Sequence, residues 1–140
     1  EHPAASYTVS AEEIIAFAKK WDPQPWHIDE SLAKASLFAG LTCCSAHIFS
    51  IFCSISQQWQ SGVQHQMLAG LGFDEMRMQR PVYAGDTLRS VSTIEAIKAS
   101  RSKRDRGVVT QSVVLWNQHD EQVFSVKATS MMARDPARIG

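Results

Sequence analysis

The chain has 140 residues, 44% of them hydrophobic, and its 14 basic side chains are balanced by 14 acidic ones. This length and apolar content suit a single globular domain over 1–140 with a buried core. Zero net charge leaves no overall field to steer the chain to nucleic acid or an anionic membrane, so the expected partners are a small molecule or another protein.

Ser10 and Glu13 have capping-box spacing, and Ile14, Ile15, Phe17, Ala18 and Trp21 follow at helical intervals. A first helix is therefore expected to run up to Asp22-Pro23-Gln24-Pro25-Trp26-His27-Ile28-Asp29. Pro23 and Pro25 fix φ there and are expected to exclude helix, making a rigid loop. Asp29 is placed to cap a short second helix over Glu30 to Ser36, with Gly40 closing the turn after it. From Thr42 to about Gln60 there is no proline or glycine, and apolar residues occupy nearly every side, which predicts a buried helix. Its most apolar stretch, Ile48 to Ile55, is too short to span a bilayer. No signal-peptide pattern opens the chain, and Cys43, Cys44 and Cys53 make a poor disulfide or zinc framework, so a reducing cytoplasm is the expected setting.

Beyond Gly62 the period changes to that of strands: Met67 to Gln79, Thr87 to Ala99, Gly107 to Trp116 and Gln122 to Met132. Ala84-Gly85-Asp86, Ser100 to Arg106 and Asn117 to Glu121 read as hairpin turns between them. The expected class is α+β: a hot-dog fold in which a long central helix is wrapped by a mostly antiparallel sheet. An exposed sheet edge is covered by pairing with a second copy, so a homodimer or higher homo-oligomer is expected.

Asp22 and His27 are the candidate catalytic pair. An imidazole and a carboxylate on one rigid loop can share the deprotonation of water and the protonation of carbon near neutral pH. The residue types do not decide which of the two takes the water proton. Asp29 reads as a helix cap, and His47 as a core histidine or as support for the pair. Arg101, Lys103, Arg104 and Arg106 suit phosphate or form a solvated loop. Phe73, Met76 and Met78 suit an acyl tunnel, the core or a dimer surface. His27, Asp29 and His47 lack metal-ligand spacing, so no metal is expected.

Three stretches resemble the MaoC-like dehydratase family, which includes the R-specific enoyl-CoA hydratases. Asp22 to Asp29 is similar to the family's Asp-x-Asn-Pro-x-His-x-Asp, with Gln24 in place of asparagine. Phe38-Ala39-Gly40-Leu41 resembles the approach to its central helix, and Arg80-Pro81-Val82-Tyr83-Ala84-Gly85-Asp86-Thr87-Leu88 its Arg-Pro-Val-x-x-Gly-Asp-Thr-Leu. The resemblance implies that Asp22 and His27 activate the water that adds across an α,β-unsaturated acyl thioester. It also implies that the thioester oxygen is held by a backbone N–H at Ser45, where the family has glycine. Trp26, Phe38, Gly40, Leu41 and Arg104 are then the expected substrate contacts.

The activity implied is (R)-specific, reversible hydration of a trans-2-enoyl thioester on coenzyme A or acyl carrier protein, without a cofactor. A hot-dog acyl-CoA thioesterase, which would release free thiol, and a non-catalytic acyl-thioester-binding subunit are the alternatives. The departures at Gln24 and Ser45 speak for the second of these.

Overall fold

The structure is a computed structural model that describes residues 5–58 and 67–133. In chain order the elements are β1 (Ser6–Thr8), α1 (Ala11–Trp21), α2 (Pro25–Ile28), α3 (Glu30–Lys34), α4 (Ser45–Gln58), β2 (Met67–Met78), β3 (Thr87–Ala99), β4 (Arg106–Trp116) and β5 (Gln122–Ala133).

Local chemistry accounts for the helix ends. The Ser10 side chain accepts from the Glu13 N–H at 3.1 Å, and the Glu13 carboxylate reaches back to the Ser10 N–H, the reciprocal bonding that the sequence predicts. Asp29 caps α3 by accepting from the Leu32 N–H at 2.9 Å. The proline loop departs from expectation, because Pro25 starts a one-turn helix instead of preventing one. Proline is tolerated at a first helical position, where its missing N–H has no partner to lose. In the turn after α3, the left-handed residue is Ala39, with φ 55, not Gly40. Gly40 lies instead under the ring of Tyr83, where an added Cβ would come within 3.4 Å of the ring.

The five strands form one antiparallel sheet in the order β1-β3-β4-β5-β2. Three of the four long strands match their predicted bounds to within a residue at each end, and β3 matches at both. The three-residue β1 is too short to show a period and was not foreseen. Ala84-Gly85-Asp86 is not a hairpin turn: β2 and β3 lie apart in the sheet, so residues 79–86 cross from one side to the other. Sequence adjacency suggested a hairpin there, and the sheet order overrides it.

The central helix begins at Ser45 rather than Thr42, because Thr42 is held in a bridge to Tyr83 and the Cys43 N–H bonds to the Val82 carbonyl at 2.9 Å. Expected residues 59 and 60 of this helix lie outside the described residues. In the single chain it is not buried on every side. His47, Ile48, Ile51, Phe52 and Ile55 form the buried stripe, while Ser45, Ala46 and Ser50 are exposed. The stripe packs with Leu88, Val113, Leu115, Val123 and Phe124 in one core that also takes in Ile14 of α1. Each large aliphatic side chain buried there contributes about 2 kcal/mol of transfer free energy. Phe52 lies between Phe124 and Phe73, with ring centroids 5.5 and 6.1 Å away. This packing joins the helix to both β5 and β2.

Candidate active site

The site is built where the proline loop meets the residues that lead into α4. Asp22 terminates α1, its N–H bonded to the Ala18 carbonyl at 2.8 Å. The chain then folds in two short steps: the Gln24 N–H donates to the Asp22 carbonyl at 2.8 Å, and the His27 N–H to the Gln24 carbonyl at 2.9 Å. The result is a tight turn that leads from Asp22 into the one-turn α2.

His27 is buried, and its Nδ1 lies 2.7 Å from the Thr42 carbonyl oxygen and 3.4 Å from the Thr42 hydroxyl. A carbonyl only accepts, so Nδ1 carries the proton and donates it, which leaves Nε2 with the lone pair in the neutral ring. Trp26 sets its ring edge-on to the imidazole, with centroids 5.9 Å apart and planes at 65°. The loop is thereby tied to Thr42, in the segment that introduces the helix.

Burial pushes the Cys44 thiol up from its ordinary pKa, the backbone amides of His47 and Ala46 draw it down, and the Asp22 carboxylate pushes it up again. His27 is tied to Thr42, ahead of the start of α4 at Ser45. At a helix N-terminus the first amides lack intrahelical carbonyl partners and lie at the positive end of the dipole. The Cys44 carbonyl accepts from His47 and Ile48, at 3.0 and 3.1 Å, and Ser45 itself is exposed.

The other predicted contacts divide. Trp26 and Phe38 are half-buried at the loop, and the Phe38 carbonyl accepts from the Tyr83 hydroxyl at 2.8 Å. Leu41 is buried in the core cluster. Its backbone carbonyl accepts from the Ala84 N–H at 3.2 Å. Arg104 is in the β3–β4 loop, at the opposite end of the strands from His27, and does not meet the pair within one chain.

His47 is a core residue. Its ring stacks on Phe17 at 4.5 Å, and the buried Nδ1 has no partner among the described residues. Burial lowers its pKa, against an opposing pull from Glu13. Glu13 in turn accepts from the Tyr7 hydroxyl, which together with burial pushes that phenol up to about 12.

Two contributions were not visible in the sequence. The Thr42 carbonyl, which sets the His27 tautomer, is a backbone atom and leaves no side-chain signature. Asp86 stood out as part of a motif, and its role is structural: it accepts from the Tyr83 N–H at 2.9 Å and the Gln118 side chain at 2.8 Å. These bonds hold the Tyr83 segment against Thr42 and Gly40.

Residues 2–117 match the family described as MaoC like domain. The chain is similar in structure to the MaoC-like dehydratase from Rhodospirillum rubrum, with 35% identity and a TM-score of 0.83 over 95% of this chain and 90% of that one. It shares its fold with the (R)-hydratase from A. caviae involved in PHA biosynthesis, at 21% identity and a TM-score of 0.71 over 91% of each chain. In sequence it is 26% identical over 130 residues to the protein YdeM of Bacillus subtilis (strain 168), covering 92% of this chain and 89% of that one.

Proposed function

The chain belongs to the MaoC-like dehydratase family, and from that membership and the His27 arrangement we propose that it is a hydro-lyase that reversibly adds water to a trans-2-enoyl thioester. The observation that carries the reading is the 2.7 Å bond from His27 Nδ1 to the Thr42 carbonyl, which leaves the lone pair of the neutral ring on Nε2.

In the forward direction Nε2 takes one proton of water as the hydroxyl adds to C3 of the enoyl group. The C2–C3 π pair moves toward the thioester carbonyl, whose oxygen becomes an enolate held by the Ser45 N–H. The imidazolium then returns its proton to C2, the enolate collapses to the thioester, and one water has been added overall. Asp22 accepts the second hydrogen of the water and orients it. Serine in place of the family's glycine keeps the amide that this role needs. The (R) stereochemistry follows from the family resemblance.

The functional unit is a homodimer in this reading. β2 is an edge strand that pairs only with β5 among the described residues, and Leu68, Leu71 and Phe73 along it are 51%, 50% and 46% exposed. A long apolar edge of this kind is covered in a stable protein, and a second β2 fits it.

The test is loss of the conjugated enoyl absorbance when the protein is mixed with short and medium trans-2-enoyl-CoA, with His27→Ala as the control. Loss that vanishes in the variant is the expected result. Release of free thiol from saturated acyl-CoA would favour a thioesterase instead, and binding without turnover a non-catalytic subunit.

A further inference from the structure

Between α3 and α4 the chain turns through residues 36–41, and the turn holds a backbone conformation that its residue type resists. Ala39 has φ 55, in the left-handed region, where a Cβ crowds the following carbonyl and glycine is the usual occupant. Such a conformation persists only where its surroundings impose it. Part of the constraint is local: the Phe38 N–H donates to the Ser36 hydroxyl at 3.2 Å, and the Ala39 N–H to the Ser36 carbonyl at 3.0 Å. The rest comes from Tyr83, on the crossover between β2 and β3. Its hydroxyl donates to the Phe38 carbonyl at 2.8 Å and so grips the peptide unit that precedes the Ala39 φ bond. Its ring lies against Gly40, on the other side of that bond.

Tyr83 is itself well fixed. Its N–H donates to the Asp86 carboxylate at 2.9 Å, and its carbonyl accepts from the Asp86 N–H at 3.0 Å. The bonds from Ala84 to Leu41 and from Cys43 to Val82 set its segment against residues 41–43. The turn and the site are only a few bonds apart. Gly40 leads through Leu41 to Thr42, whose carbonyl accepts from His27 Nδ1. A turn that relaxed at Ala39 would change the direction in which the chain enters Thr42, and with it the acceptor that keeps the imidazole proton on Nδ1. The motif Arg-Pro-Val-x-x-Gly-Asp-Thr-Leu specifies no residue at the position of Tyr83, so the clamp is a feature of this chain and not of the motif.

We propose that Tyr83 is a positioning residue for His27: its hydroxyl and ring hold Ala39 in the left-handed turn, and through that turn they hold the Thr42 carbonyl in place on the imidazole. The effect on rate rests on the hydratase reading, and a measurement without substrate separates the two. Tyr83→Phe removes the hydroxyl and keeps the ring against Gly40. It is expected to lower kcat for a trans-2-enoyl-CoA by about tenfold or more, the scale on which small misplacements of a catalytic group act, with KM within about twofold of wild type. Glycine adopts the same φ without crowding. Ala39→Gly is therefore expected to be near wild type by itself, and Tyr83→Phe/Ala39→Gly to return to within about threefold of the wild-type kcat. Imidazole nitrogen NMR spectra of the substrate-free protein at about pH 8.5, where an ordinary histidine is neutral, read the tautomer directly. His27 should be the Nδ1–H tautomer in wild type and in the double variant, and a mixture of tautomers in Tyr83→Phe. His27→Ala assigns its signals among the five histidines.

An unchanged kcat in Tyr83→Phe would overturn the proposal, as would a raised KM at unchanged kcat, which would place Tyr83 in substrate binding alone. A loss of rate that Ala39→Gly does not repair, or one that leaves the His27 tautomer as in wild type, overturns it too, because the hydroxyl then acts elsewhere than on the turn. If the wild-type protein turns over no enoyl thioester, the hydratase reading fails alone and the spectra decide. A tautomer mixture in Tyr83→Phe that Ala39→Gly reverses upholds the positioning role, and identical spectra overturn it.

Discussion

The imidazole of His27 and the carbonyl of Thr42, 2.7 Å apart, join the one-turn helix of the proline loop to the bridge residue that precedes the central helix. The partner of His27 is main chain, so side-chain changes at Thr42 should leave the tautomer alone. Thr42→Val is expected to retain turnover within about threefold, and His27→Ala to lose about 10²–10⁴-fold, the range of general acid–base contributions. Steady-state rates on an enoyl-CoA check both; an equal loss in the two variants would place the hydroxyl, not the carbonyl, in the role.

Asp22→Asn removes the charge but keeps the size, and the side chain has no structural hydrogen bond or ion pair among the described residues. Turnover is expected to fall by about 10² or more while stability changes by no more than about 0.5 kcal/mol. Urea midpoints and rates measured on one preparation give both values. A collapse of stability would make Asp22 a structural cap and remove it from the reaction.

Ser45 is the first residue of α4, and there proline is compatible with a helix. Ser45→Pro therefore deletes the proposed oxyanion amide without breaking the element, whereas Ser45→Ala keeps the amide and loses only the hydroxyl. A fall in kcat of about 10²–10³ is expected for proline, with near-normal rates for alanine. Two equally active variants would move the oxyanion donor elsewhere.

His47 supplies a pH dependence whose sign is set by burial. Its folded pKa is lowered, so as the pH drops below about 6.5 the unfolded chain takes a proton that the folded chain refuses. This stability is fully present above that pH and is lost as the pH falls toward the folded pKa. His47→Leu, which cannot titrate, is expected to lose less stability than wild type between pH 7.5 and 5.5. Parallel denaturation curves at the two values decide it.

Packing yields a contrast in stability. Phe124 is fully buried against Phe52, and Ile97 is 71% exposed on β3. Phe124→Ala is expected to cost about 3–5 kcal/mol, and Ile97→Ala about 0.5 kcal/mol or less in the monomer. A larger effect at Ile97 that depends on protein concentration would show that its face is covered in the dimer.

The short-range features are those the sequence determined: the Ser10–Glu13 capping box, the Asp29 cap, the four long strands and a helix through Ile48 to Ile55. Each depends on side chains a few residues apart, whose spacing is itself the signal. The family motifs single out Asp22, His27 and Ser45 as the proposed site by the same kind of local spacing. Tertiary structure decided what depends on distant backbone. Thr42 was expected in the helix and left it to bridge Tyr83, Ala39 rather than Gly40 took the left-handed turn, and the Ala84–Asp86 link became a crossover because β3 pairs with β4. Arg104 and its neighbours were grouped with the His27 site by chemistry alone. The length of β3 carries them to the other end of the sheet within one chain.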